Sequence, residues 1–164
     1  MSIELIVSIA QLIVVVLGSV IAIWTLFANH ERQKKQATIE FHQELSPITF
    51  EYRKTISELF GIEPINPFEK RYKENKELQE LITQYLTIME RFAVGINTKV
   101  YDFDVFCRLV GDSTRVTYEK LKPVIDHLRR DQGRTTLYKD FEKLYFKLMK
   151  KSEHMNNEGK IKLT

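Results

Sequence analysis

Apolar residues are distributed along this chain in two ways. From Leu5 to Ala28 they dominate a run in which 24 consecutive residues carry no charge, and most are Leu, Ile, Val, Ala or Phe. After His30 they recur every three or four positions between charged residues, which is the period of an amphipathic helix. Built as a helix, the first run is about 36 Å long against a hydrocarbon core of about 30 Å, so it can cross a bilayer with some tilt. The second pattern predicts helices that bury one face against each other. No convincing strand appears. The expected fold is all-α: a single N-terminal transmembrane helix continuing into a cytosolic bundle of about five or six helices. The expected domains are an anchor over 1–30, a helical domain over 31–152 and a disordered tail over 153–164.

A cleaved secretory signal has a basic leader, an apolar run of roughly 7–15 residues and a small-residue cleavage site. Here nothing basic precedes a longer run, and Asn29, His30, Glu31 and Arg32 follow it. A retained anchor is therefore expected. Trp24 and Phe27 fall near its end, where aromatic rings favour the headgroup level. Met1 to Glu4 carries no Lys or Arg, whereas Arg32, Lys34 and Lys35 follow the span. The positive-inside rule then places the N-terminus outside and the rest of the chain in the cytoplasm.

One face of the span differs from the rest. Ser8, Gln11, Val15, Gly18, Ala22, Thr25 and Asn29 are spaced alternately by three and four, and all but Val15 are small or polar. In lipid, helices associate through close backbone approach at small residues and through interhelical hydrogen bonds. Gly18 and Ala22 supply the approach, and Gln11 carries a carboxamide that hydrocarbon cannot satisfy. This face is the expected self-association seam.

Between Ala28 and Leu45 there is no Gly and no Pro, so the helix is expected to continue, with Glu31–Lys35 and Gln36–Glu40 at i,i+4. Ser46-Pro47 reads as a new helix start. That helix should end at Gly61, with Ile48, Tyr52, Ile56, Leu59 and Phe60 as its stripe. Gly61 to Pro67 reads as a loop and Phe68 to Lys76 as a loose helical turn. Asn75 caps the best-patterned helix, whose apolar positions are Leu78, Leu81, Ile82, Tyr85, Leu86, Ile88, Met89, Phe92, Ala93 and Ile96; Glu80, Gln84, Thr87 and Arg91 are its wet face. Asn97 suits a left-handed stop. Asp102 caps a short helix to Val110, Gly111-Asp112 interrupts, and a further helix runs to about Arg130, with a kink or break expected at Pro123. Gly133 ends it. Thr135 or Thr136 caps a last helix from Leu137 to about Lys151, with Leu137, Phe141, Leu144, Tyr145 and Leu148 inward.

Charge narrows the functional classes. All 25 Lys and Arg, and 21 of the 22 acids, follow residue 30, giving that part a net charge of +4. This is mildly basic, without the dense Lys/Arg patch of a nucleic-acid module. The single Cys107 excludes an internal disulfide. His30, His42, His127 and His154 form no HExxH or Cys/His knuckle, and Gly95 and Gly111 are isolated, so no metal, cofactor or phosphate loop is expected. Cys107 sits among Val105, Phe106 and Leu109 and reads as a structural thiol. Glu90, between Met89 and Phe92, must pair or stay wet; the expectation is a half-buried carboxylate tied to a Lys or Arg from another helix, such as Lys122, and a catalytic acid is the alternative. Asp102 reads as an N-cap.

The segment Tyr85-Leu-Thr-Ile-Met-Glu90-Arg-Phe-Ala-Val-Gly95-Ile, then Val100-Tyr-Asp102, then Tyr118-Glu119-Lys-Leu-Lys122-Pro123-Val-Ile, resembles the bacterial family known as domain of unknown function 4760. The N-terminal membrane helix, the basic segment after it and Ala37-Thr38 at a helix start resemble that family as well. The sequence departs at Tyr118, where such families often show Trp. The resemblance implies architecture and a bacterial inner-membrane location, and no reaction; similar small anchored proteins are associated with phage defence. The expectation is a non-enzymatic single-pass protein whose cytosolic bundle binds or senses an unidentified protein or signal and whose span forms a homo-oligomer in the bilayer. The alternative from another class is a membrane-disrupting effector, with Ser8, Gln11 and Thr25 lining a leak.

Overall fold

A computed structural model describes residues 3–60 and 72–161, and all regular structure among them is helical. The first helix, α1, runs from Ile3–Phe60 as one element of 58 residues. From Val7 to Phe27 every side chain of α1 is exposed, with Trp24 at 71% and Phe27 at 69%. Apolar side chains left uncovered over that length need a non-aqueous partner. Among the described residues α1 is the one helix long and apolar enough to cross a membrane, and its apolar part stands clear of the core. The all-α architecture with one long apolar N-terminal helix is therefore as the periodicity predicted.

Among the described residues four further helices and one π-helical turn follow: α2 (Lys76–Asn97), α3 (Phe103–Phe106), the π-helical turn (Cys107–Gly111) leading directly into α4 (Asp112–Asp131), and α5 (Lys139–Ile161). The helices α2, α3 and α4 pack on the distal half of α1, and α5 packs on α2 and α4, around a core of Ile56, Ile82, Leu86, Phe106, Leu121, Ile125, Phe141 and Leu144. Aromatic pairs fix the direction of α2. Tyr52 of α1 meets Tyr85, with ring centroids 6.4 Å apart, and Phe41 meets Phe92 at 4.7 Å. Numbers fall on α1 as they rise on α2, so α2 is antiparallel to α1 and its C-terminal end points back toward the apolar segment.

Several local expectations change. Ser46-Pro47 starts no helix, because α1 passes through Pro47 unbroken. Thr38 and Phe41 pack below it and Tyr52 and Ile56 above it, so tertiary contacts hold both flanks in register while Pro47 itself is exposed. Ile48 also faces solvent, at 44% exposure. The left-handed residue after α2 is Lys99, with φ 65°, rather than Asn97, whose side chain instead donates to the Asp140 carbonyl at 3.0 Å. Gly111 is buried and helical, so no gap separates α3 from α4; the extra residue is absorbed by the π turn. The helix α4 likewise continues through Pro123 without a break and, as expected, ends before Gly133, which takes φ 61°. The last helix starts at Lys139, two residues late, and extends to Ile161 into the segment expected to be a disordered tail; residues 162–164 lie outside the described residues. The expected loop from Gly61 to Pro67 and most of the turn after it also lie outside them, and 72–74 form one helical turn.

Candidate functional site

Polar groups concentrate where the stalk of α1 enters the bundle. Thr38 has no exposed surface. Its hydroxyl donates to the Lys34 carbonyl at 2.8 Å and accepts the Asp102 backbone N–H at 2.7 Å. Asp102 in turn caps α3, its carboxylate accepting the Val105 N–H at 2.9 Å. The cap was legible from sequence; its tie to the stalk was not. The turn between them is tight. Gly95 accepts the N–H groups of Val100 and Tyr101 at 2.9 and 3.0 Å, and a Cβ on Gly95 would lie 2.2 Å from the Tyr101 ring. Glycine is required there because the ring occupies the space of a side chain.

Farther from the apolar segment, a partly open pocket of about 20 Å³ lies between α1, α2 and the start of α4, lined by His42, Thr49, Arg53, Tyr85, Met89 and Thr114 among others. That is room for about one water molecule. Arg53 bridges α1 to α4, its guanidinium donating to Ser113 Oγ at 2.6 Å and to the Thr49 carbonyl at 3.2 Å. Burial, helped by the Arg53 charge, lowers the His42 pKa and so favours the neutral imidazole. Burial likewise pushes the Tyr85 phenol up to about 12, partly offset by its hydrogen bond with Thr117. Nothing in the local sequence marked His42 and Arg53 as neighbours of this pocket.

Glu90 is half-buried as expected, but Lys122 is not its partner. Lys122 pairs with Asp126 on its own helix at 2.7 Å. Glu90 accepts the backbone N–H groups of Asp140 at 3.2 Å and Phe141 at 2.8 Å, one on each carboxylate oxygen. It therefore caps α5 from the neighbouring helix, the task assigned from sequence to Thr135 or Thr136. Cys107 is a free, half-buried thiol whose pKa burial raises, which opposes thiolate formation. No group of three or more His, Cys, Asp or Glu among the described residues is arranged to hold a metal ion.

Ser8, Gln11, Gly18, Ala22 and Thr25 lie exposed on α1. The Thr25 hydroxyl donates to the Ile21 carbonyl at 2.8 Å, so its own helix satisfies it. A Cβ on Gly18 would meet nothing within 4 Å. In the basic segment, Lys34 pairs with Glu31 at 2.7 Å in place of the expected Lys35, leaving Arg32 and Lys35 exposed, and Gln36 bonds Glu40 at 2.8 Å as expected.

No curated protein and no solved structure matches the chain. One family's sequence model does match it, over residues 12–148, taking in most of α1, both Gly95 and Glu90, and α5 as far as Leu148. The chain belongs to that family, described as Domain of unknown function (DUF4760).

Proposed function

We propose that this chain is a single-pass protein of the bacterial inner membrane, with its N-terminus outside, whose cytosolic bundle is a binding or sensing module clustered by self-association of the membrane helix. The carrying observation is the exposed face of Ser8, Gln11, Gly18, Ala22 and Thr25 on a span that is otherwise mostly large and apolar, Ala10 and Ser19 being the main exceptions. Within one chain the Gln11 carboxamide lies exposed at a depth where lipid offers it no partner, and a second copy of the same face supplies one. Arg32 and Lys35 beyond the span support the cytoplasmic orientation of the bundle. Small residues along the same face let two backbones approach, which favours dimer or higher contacts over a lone tether.

The test is the mass of the full-length protein in nanodiscs, beside Gly18→Ile and Gln11→Leu. Because a Cβ at Gly18 meets nothing within 4 Å in one chain, Gly18→Ile is expected to leave the monomer intact and to act on association alone. A defined oligomer that falls to monomer in both variants is the expected result. A monomer in all three reduces the span to a tether and removes self-association from the reading.

A further inference from the structure

The antiparallel course of α2 brings one end of the bundle back toward the membrane. Thr38, which holds the Asp102 N–H at 2.7 Å, follows Ala28 by ten residues, or about 15 Å of helix. The C-terminal end of α2 and the turn after it therefore hang just above the headgroup layer. A groove opens there between α2 and α5, lined by Asn97, Lys143, Phe146, Lys147 and Lys150. Lys143, Lys147 and Lys150 are spaced by four and three and share one face of α5. Phe146 is 55% exposed beside them, and Val100, in the turn two residues beyond Thr98, is 58% exposed with Lys99 next to it. The acids near this face are Asp140, which pairs with Lys143 at 3.1 Å, Asp104, which pairs with Lys151, and the exposed Glu153. Lys99, Lys147 and Lys150 have no ion pair among the described residues.

We infer that this face, Lys147 and Lys150 with Phe146 at its centre, docks the bundle on the anionic headgroups of the membrane that anchors it. Two features select a lipid surface. The lysines present positive charge within reach of a negative leaflet, whose attraction falls off over a Debye length of about 8–10 Å. Exposed Phe146 and Val100 supply the apolar contact that interfacial binding uses alongside charge. A bundle held this way stands at a fixed orientation to the bilayer instead of swinging on its stalk.

This docking presupposes the anchored reading, and the experiment reads the two separately. Full-length protein carrying Trp24→Phe and Phe146→Trp has its one tryptophan in the groove. It is placed in nanodiscs of phosphatidylcholine alone or with phosphatidylglycerol. Incorporation into discs reports the anchor, and the tryptophan emission reports docking. Docking gives a shift to shorter wavelength in the anionic discs only. The shift is lost in 1 M salt, where the Debye length is about 3 Å, and on adding Lys147→Glu and Lys150→Glu. Incorporation with identical emission in both discs overturns the docking and leaves the anchor standing. A shift that survives the lysine substitutions, or one produced in neutral discs by a soluble polyanion and absent in anionic discs, also overturns it. Failure to incorporate overturns the anchor and the docking with it.

Discussion

The carboxylate of Glu90, in the middle of α2, accepts the backbone N–H of Phe141 at 2.8 Å near the start of α5. Its other oxygen takes the Asp140 N–H at 3.2 Å. Two orphan donors of one helix are thus satisfied by a side chain from another, and a negative charge sits at the positive end of the α5 dipole. Glu90→Ala removes both bonds and is expected to destabilise the full-length protein by about 1–3 kcal/mol. Glu90→Gln keeps one acceptor oxygen and should recover part of that loss. Thermal melts followed by circular dichroism check both. A Glu90→Ala protein that melts with wild type would show that α5 starts without this cap.

Thr38 makes the equivalent tie between the stalk and the turn before α3. Thr38→Val keeps the shape and removes the oxygen, leaving the Asp102 N–H buried without a partner. The expected cost is about 1–3 kcal/mol, the penalty for an unsatisfied buried donor. Thr38→Ser keeps the acceptor and should stay close to wild type. Amide exchange at Asp102 is the specific readout: it should accelerate in Thr38→Val and stay protected in Thr38→Ser. Equal exchange in the two would place the hydrogen bond outside the stabilising set.

The pattern that defined the helices was local, and it located them well. Leu78, Ile82, Tyr85, Leu86, Met89, Phe92, Ala93 and Ile96 are buried on α2, as their spacing predicted, while Leu81 and Ile88 from the same expected face are half-buried at its edges. Asn75 and Asp102 cap the helices they precede, each accepting an N–H three residues ahead, a spacing that the sequence shows directly. What escaped the sequence was set by packing across elements. Pro47 and Pro123 look like breaks, yet helices held on both sides by tertiary contacts run through them. The Glu90 and Thr38 ties span about fifty and sixty-four positions, and no local spacing encodes either. Gly111 looked like a stop because glycine is a poor helix residue; it is buried against Leu148, whose Cδ2 would sit 3.2 Å from an added Cβ.

Gly95 looked merely isolated, and its role also depends on a distant ring. Tyr101 folds back over it and is gripped by Phe41 and Phe92, with centroids 5.0 and 5.3 Å away. A methyl group at Gly95 would overlap the Tyr101 ring, and the two flanking rings limit where Tyr101 can go. Gly95→Ala should therefore destabilise by about 1–3 kcal/mol, as overpacking does, although alanine is the better helix former. The double variant Gly95→Ala with Tyr101→Ala should be less destabilised than the sum of the two single changes. Additive losses by thermal melt would mean the ring yields freely.

Acid sensitivity should trace in part to Glu142. Arg129 lies 3.0 Å from its carboxylate, and the two side chains are only 14% and 25% exposed. The hydrogen bond from Arg129, together with its charge, holds the Glu142 carboxyl below its ordinary value of 4.5, against the opposing effect of partial burial. In the unfolded chain Arg129 is gone and the carboxyl titrates near that ordinary value. A lowered folded pKa contributes stability that is full above 4.5 and is lost as pH falls through the folded value. Glu142→Gln removes this contribution. The variant should melt below wild type at pH 7, and the gap should narrow steadily as pH falls from about 5 toward 3, because protonation disarms the wild-type pair there. Some acid loss remains in the variant, since Glu31, Asp104 and Asp140 also have lowered pKa values. Thermal melts of both proteins across that range check the convergence. A gap that stays constant down to pH 3 would mean that Glu142 acts through packing and not through its charge.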